Sequence, residues 1–183
     1  MNSLQEKIFD VIVAILRTKS LNKTLTGEFE GRQAIQHSAI RYGILNYVAK
    51  YSLARENYLI TDVCHDYLCS KGLIVDGILL RGAKGSKNKF TYEHPVPSNI
   101  ISDLLIECRN DHKRMQEILQ ITDKVTVLTY DENKKLKGAL VKSMPNQKSW
   151  TLKNCEDSIF ARYIDAKVEI PKNTVKVRGA LAR

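Results

Sequence analysis

Apolar residues recur every three or four positions over Ser3–Thr18, where Leu4, Ile8, Val11, Ile12, Ile15 and Leu16 share one face and predict an amphipathic helix. Ser3 and Glu6 form the expected capping box at its start. Residues 19–32 are polar, contain Gly27 and Gly31, and read as a loop. A second helix is expected from Arg32 to about Ala54, with Ala34, Ile35, Ala39, Tyr42, Leu45, Val48 and Ala49 largely on one face. Gly43 weakens that helix and offers a place for another to approach. A third helix, Thr61–Ser70, is opened by Thr61 or Asp62 and closed by Gly72. On this pattern the first seventy residues are all-helical.

The period changes at Gly72. Leu73–Leu80 is apolar and partly β-branched, and predicts one strand. Arg81–Lys89 carries four cationic side chains with Gly82 and Gly85, as a flexible cationic loop would. Lys89–His94 alternates as a short strand that Pro95 and Pro97 terminate, since proline has no amide donor. Ser98 is the expected cap of a helix to Glu107, which resumes over Asp111–Gln120 after a break. Lys124–Tyr130 predicts a central strand, Asp131–Leu136 a short helix capped by Asp131, and Gly138–Ser143 a further strand. Asp157–Ala166 predicts a helix with Ile159, Phe160, Tyr163 and Ile164 inward, and Lys167–Ile170 the last strand.

These elements imply an α+β fold: a helical N-terminal part (1–71) packed on a small mixed sheet formed mainly after residue 72, in one domain over 1–171. A basic tail over 172–183 shows no clear apolar face and is expected either to be mobile or to dock on a partner. The 32–54 helix serves equally as core or as a homodimer face.

Composition narrows the classes. A chain of 183 residues, 43% of them apolar, can bury a core without disulfides or metal. Its longest apolar run, Val11–Leu16, is far too short to cross a bilayer, and no secretory leader pattern opens the chain, so a cytoplasmic location and no membrane partner are expected. The four cysteines are scattered and expected to be reduced. Zinc at Cys64, His65 and Cys69 lacks a second ligand pair at suitable spacing, so structural cysteines are the expectation. A net charge of +9 and a pI near 9.4 suit a surface that faces phosphates, which makes nucleic acid the leading partner class; the alternative is charge kept for solubility. No Gly-Lys-Ser/Thr phosphate loop or Gly-x-Ser-x-Gly nucleophile turn is present, and Thr61–Gly72 has too few basic side chains to read a DNA groove.

The chemically suggestive stretch is a cationic loop, a strand, then Glu93-His94-Pro95-Val96-Pro97 and a helix. It resembles the core element of HNH, or ββα-metal, nucleases, in which a strand ends in an acidic residue followed by histidine, often with proline three residues on. The resemblance covers about thirty residues and implies His94 as general base and Glu93 as ligand to a divalent cation such as magnesium. It implies a further ligand from the following helix, where Asn110 and His112 lie nearest the expected spacing and Asn99 falls too early. The paired Cys-x-x-Cys knuckles of many members are absent. The plain alternative is that His94 caps a turn and Glu93 pairs with a lysine of the 84–89 loop.

Arg81, Lys84, Lys87 and Lys89 are candidate contacts to a nucleic-acid backbone, giving affinity without base reading. Arg162 could face a phosphate outward or Asp157 inward. Met144-Pro145, Trp150, Asp157 and Ala161-Arg162-Tyr163 are also similar to the C-terminal region of small bacterial and phage proteins that carry Glu-His-x-x-Pro, a resemblance that brings no activity. Three functions follow as expectations: a metal-dependent endonuclease, a non-catalytic DNA- or RNA-binding protein, and an inhibitor of phage or mobile-element kind that binds a protein partner.

Overall fold

A computed structural model describes residues 1–17, 39–80, 90–136, 140, 142–146 and 149–177, the side chains of 39–41 excepted. In chain order these form α1 (Ser3–Leu16), α2 (Ala39–Leu53), β1 (Asn57–Ile60), α3 (Asp62–Ser70), β2 (Ile74–Val75), β3 (Ile78–Leu79), β4 (Phe90–Glu93), α4 (Ser98–Glu107), α5 (His112–Thr122), β5 (Thr126–Thr129), α6 (Tyr130–Lys135), α7 (Glu156–Ile159), α8 (Ala161–Asp165) and β6 (Asn173–Val177). The fold is α+β, with a mixed six-stranded sheet ordered β2-β3-β6-β1-β5-β4. Only β3–β6 and β1–β5 pair in parallel. No helix among the described residues is long and apolar enough to cross a membrane.

Both faces of the sheet are covered at β1 and β5, whereas Thr174 and Lys176 of β6 are exposed on the face opposite α3. Tyr58, Ile60, Phe90, Val127, Val175 and Val177 point to one side and pack with Cys64 and Leu68 of α3. Leu128 points to the other, against α1, α2, α4, α5 and the α7–α8 segment. Burial pushes the Cys64 thiol up to about 12, so it behaves as a small core side chain. Ile15 of α1 lies 3.8 Å from where a Gly43 Cβ would stand, so α1 does run past that glycine, at an ordinary contact distance.

Several expectations are corrected. Asn2 caps α1: its side chain accepts from the Gln5 amide at 2.9 Å, and Gln5 accepts from the Asn2 amide at 3.1 Å. The first seventy residues are not all-helical, because β1 lies among them in the middle of the sheet. Residues 73–80 form a hairpin and not one strand; Asp76 (φ 51°) and Gly77 (φ 73°) adopt the two left-handed conformations of a tight turn. Ser98 does not cap α4, and Thr129, not Asp131, caps α6 in a capping box with Glu132. The helix over 157–166 is two short pieces broken at Phe160, and Ile164 faces outward. Neither 167–170 nor the described part of 138–143 is a strand. The last strand is β6, inside the supposed tail and bonded on both sides, to β3 and β1. The third helix behaves as expected: Thr61 accepts from the Cys64 amide, and Gly72 (φ 65°) turns the chain so that the amides of Gly72 and Leu73 close on the carbonyls of Cys69 and Leu68.

Candidate functional site

β4 lies antiparallel to β5 at the sheet edge, with Glu93 opposite Thr126 and Tyr92 opposite Val127. Strand alternation therefore separates two kinds of chemistry. Phe90 and Tyr92 join the α3-side core, where Tyr92 meets Tyr58 edge to face with ring centroids 5.4 Å apart. Glu93 shares the opposite face with Thr126. The chain then turns through Pro95-Val96-Pro97, all buried, and the Pro97 carbonyl accepts the first amides of α4, from Ile100 and Ile101. The prolines thus end the strand and fix where His94 stands.

Arg162 of α8 enters this turn from the other side. Its guanidinium donates to Glu93 Oε1 at 3.0 Å and to the His94 carbonyl at 3.1 Å, while the residue is 1% exposed. Arg162 therefore points neither to a phosphate nor to Asp157; the half-buried carboxylate at the strand end is its partner. Adjacent Tyr163 sits fully buried with its hydroxyl beside that of Thr126, outside bonding geometry. Among the described residues, the buried Nε2 of His94, Nε of Arg162, Oγ1 of Thr126 and the Tyr163 hydroxyl have no hydrogen-bond partner.

Electrostatics follow from this dry setting. Burial, reinforced by the Arg162 charge, pulls the His94 imidazole down from 6.5 to about 4, so its ring is neutral near pH 7. Burial raises the Glu93 carboxyl above its ordinary range, and Arg162 opposes that rise through its charge and its hydrogen bond. The Tyr163 hydroxyl is raised by burial as well.

The expected metal set does not assemble in this arrangement. The break between α4 and α5 leaves Asn110 and His112 exposed, and the His112 ring packs edge-on against Phe9 of α1 at 4.8 Å. Asn99 donates to the Lys142 carbonyl at 2.7 Å. Among the described residues no three His, Cys, Asp or Glu side chains come together as a group that could hold a metal ion. Glu93 and His94 are adjacent, as the sequence dictates, and among the described residues the side chain that joins them is a cation, Arg162. Arg81, Lys84, Lys87 and Lys89 lie outside the described residues, as does His37.

The chain carries a net charge of +9, and 81–89 alone contributes +4 with no acidic residue. Sequence reasoning found Glu93, His94 and Arg162 and placed Tyr163 inward, but missed Thr126. Its position two residues before Leu128, on the same strand face, was the available signal.

Compared with protein-family models, with curated proteins and with solved structures, the chain matches none.

Proposed function

We propose that the protein binds nucleic acid through its phosphate backbone, without cutting it, and that Glu93, His94 and Arg162 form an internal tie and not a reaction centre. The observation that carries this is the charge of the chain: a net +9, with four Lys and Arg and no acidic residue gathered in 81–89. Cations gathered in this way suit sequence-independent phosphate contacts better than groove reading. The Glu93–Arg162 pair supports the second half, since a guanidinium at 3.0 Å already neutralises the charge that a metal would take from this carboxylate.

The test is a binding titration with mixed-sequence DNA and RNA at several salt concentrations. Binding should weaken steeply with salt. The combined Lys84→Ala, Lys87→Ala, Lys89→Ala variant should flatten the log–log salt slope on duplex DNA, by up to about 0.9 for each phosphate it no longer neutralises. No binding at moderate salt would overturn the reading.

One observation favours a second reading, a magnesium-dependent endonuclease: the neutral imidazole of His94 is in the protonation state a general base requires. That reading needs the Glu93 carboxylate released from Arg162. Cleavage of DNA or RNA with magnesium or manganese, abolished by His94→Ala while binding persists, would install it in place of the first.

A further inference from the structure

A feature that the Glu93–Arg162 group leaves unexplained lies at the opposite end of β5. Parallel strands β1 and β5 each run directly into a helix, β1 into α3 and β5 into α6. Ligands of open α/β sheets settle outside the carboxyl ends of adjacent parallel strands, where the departing helices leave a crevice. A cleft of about 480 Å³ stands there, a volume ordinary for a small-molecule site.

Its walls combine flat rings with separated charges. Tyr67 of α3 and Tyr130 of α6 line it with Val63. Tyr130 is 48% exposed and Val63 59%, so apolar surface is held open to solvent at this place. One face of the Tyr130 ring carries Lys134 Nζ at 4.7 Å. Two carboxylates are pinned by one oxygen each. Glu132 Oε2 accepts from the Thr129 amide and hydroxyl at 2.9 and 2.7 Å, and Glu169 Oε2 accepts from the Asp62 amide at 3.2 Å. The Oε1 atoms of both make no bond among the described residues. Lys135 and Lys167 also line the cleft and make no ion pair among the described residues. Asp131 completes the charged rim and is bonded to Lys134. With Lys134 counted beside Asp131, three acids meet three lysines here, so the cleft has no cationic excess to favour a phosphate as the main ligand group.

We infer that this cleft takes a single unstacked guanine, with its ring against Tyr67 and Tyr130, its N–H edge on a carboxylate of Glu169 or Glu132, and its carbonyl oxygen on a lysine. Guanine alone among the common bases sets two N–H donors side by side next to a carbonyl acceptor, and a carboxylate beside an ammonium complements that edge. Aromatic rings accept the base face by stacking. Adenine would turn a ring acceptor toward the carboxylate and be disfavoured, because two acceptors then face each other with no proton between them. The base could belong to a free nucleoside or to a splayed strand. The inference is independent of the phosphate-binding reading, since a nucleoside has no phosphate.

The experiment is a titration of the full chain with guanosine, adenosine and inorganic phosphate, followed by calorimetry and by backbone amide shifts. Guanosine should bind at least tenfold more tightly than adenosine, shift the amides of Tyr130 and Val63, and leave inorganic phosphate without effect. Tyr130→Ala should weaken guanosine about tenfold or more without changing the melting temperature appreciably, because that ring is half-exposed. Glu169→Gln should narrow the preference over adenosine. If a short guanine-containing RNA competes with guanosine, the base comes from a strand; if only the nucleoside binds, it comes free. Both results support the cleft. No guanosine binding at millimolar concentration, equal binding of adenosine, or indifference to Tyr130→Ala would overturn it, and retained salt-dependent binding of long nucleic acid would show that the cleft alone has failed.

Discussion

Glu93 and Arg162 are 69 residues apart in the chain and 3.0 Å apart in the fold. The bond ties the end of an edge strand to a five-residue helix near the C-terminus. Removing one partner strands a charge in the interior, whereas removing both removes the problem. Glu93→Leu, which leaves the 1%-exposed Arg162 without its counter-charge, should therefore cost about 3–5 kcal/mol of unfolding free energy, while the Glu93→Leu, Arg162→Met double variant should recover most of that loss. Urea unfolding of the two single variants and the double one measures the coupling directly.

Acid should weaken the fold through His94. The ring titrates near 6.5 in the unfolded chain and at about 4 in the folded protein, so between those values the unfolded chain takes up a proton that the folded one refuses. Stability is then full above 6.5 and falls as pH drops toward 4, by about 3 kcal/mol at most. Glu93 acts with the opposite sign. Its carboxyl is raised, so the folded protein takes up that proton first and gains stability as pH falls toward the ordinary carboxylate range. Urea midpoints between pH 7 and 4 should decline for the natural chain and flatten or reverse for His94→Gln. A decline of the same steepness in the variant would remove His94 from the account.

The C-terminal strand should be indispensable. β6 is bonded to β3 on one side and β1 on the other, and Val175 is 2% exposed in the α3-side core. Deleting 173–183 splits the sheet between those neighbours, and the chain should lose its cooperative unfolding transition. Val175→Ala should keep the fold at a cost on the order of 2 kcal/mol. A truncated chain with an unchanged melting transition would contradict the register.

At the β2–β3 turn the constraint is the backbone alone. Gly77 stands at φ 73°, and a Cβ there would meet nothing within 4 Å. Gly77→Ala should thus cost about 1–2 kcal/mol from the left-handed conformation and nothing from crowding. Substitution of Gly43, which has ordinary helical geometry and a 3.8 Å neighbour, should be neutral or stabilising by contrast. Thermal melts of the two alanine variants separate the effects.

Much of this was legible in the sequence. Helices α1, α3 and α5 follow from apolar period and end signals, and the β4 strand with its proline stop locates Glu93 and His94 to the residue. What failed was short. The run Asn57-Tyr-Leu-Ile60 leads directly into Thr61 of the next helix, and four apolar-rich residues fit a helical period as well as a strand. Asn173–Val177 does alternate, with Val175 and Val177 inward, but it lies among lysines that made the segment read as solvated.

The sequence by itself determined the α+β class, the charge excess, and the chemistry available at Glu93 and His94, because those depend on residue types and on contacts a few positions long. Only the tertiary structure decided what that chemistry faces. The partner of Glu93 is set by how a sheet edge meets α8, a contact across 69 residues that no local period encodes. The same holds for the central place of β6 and for the cleft beyond β1 and β5, since strand order is fixed by how the sheet is buried and not by the nearest neighbours along the chain.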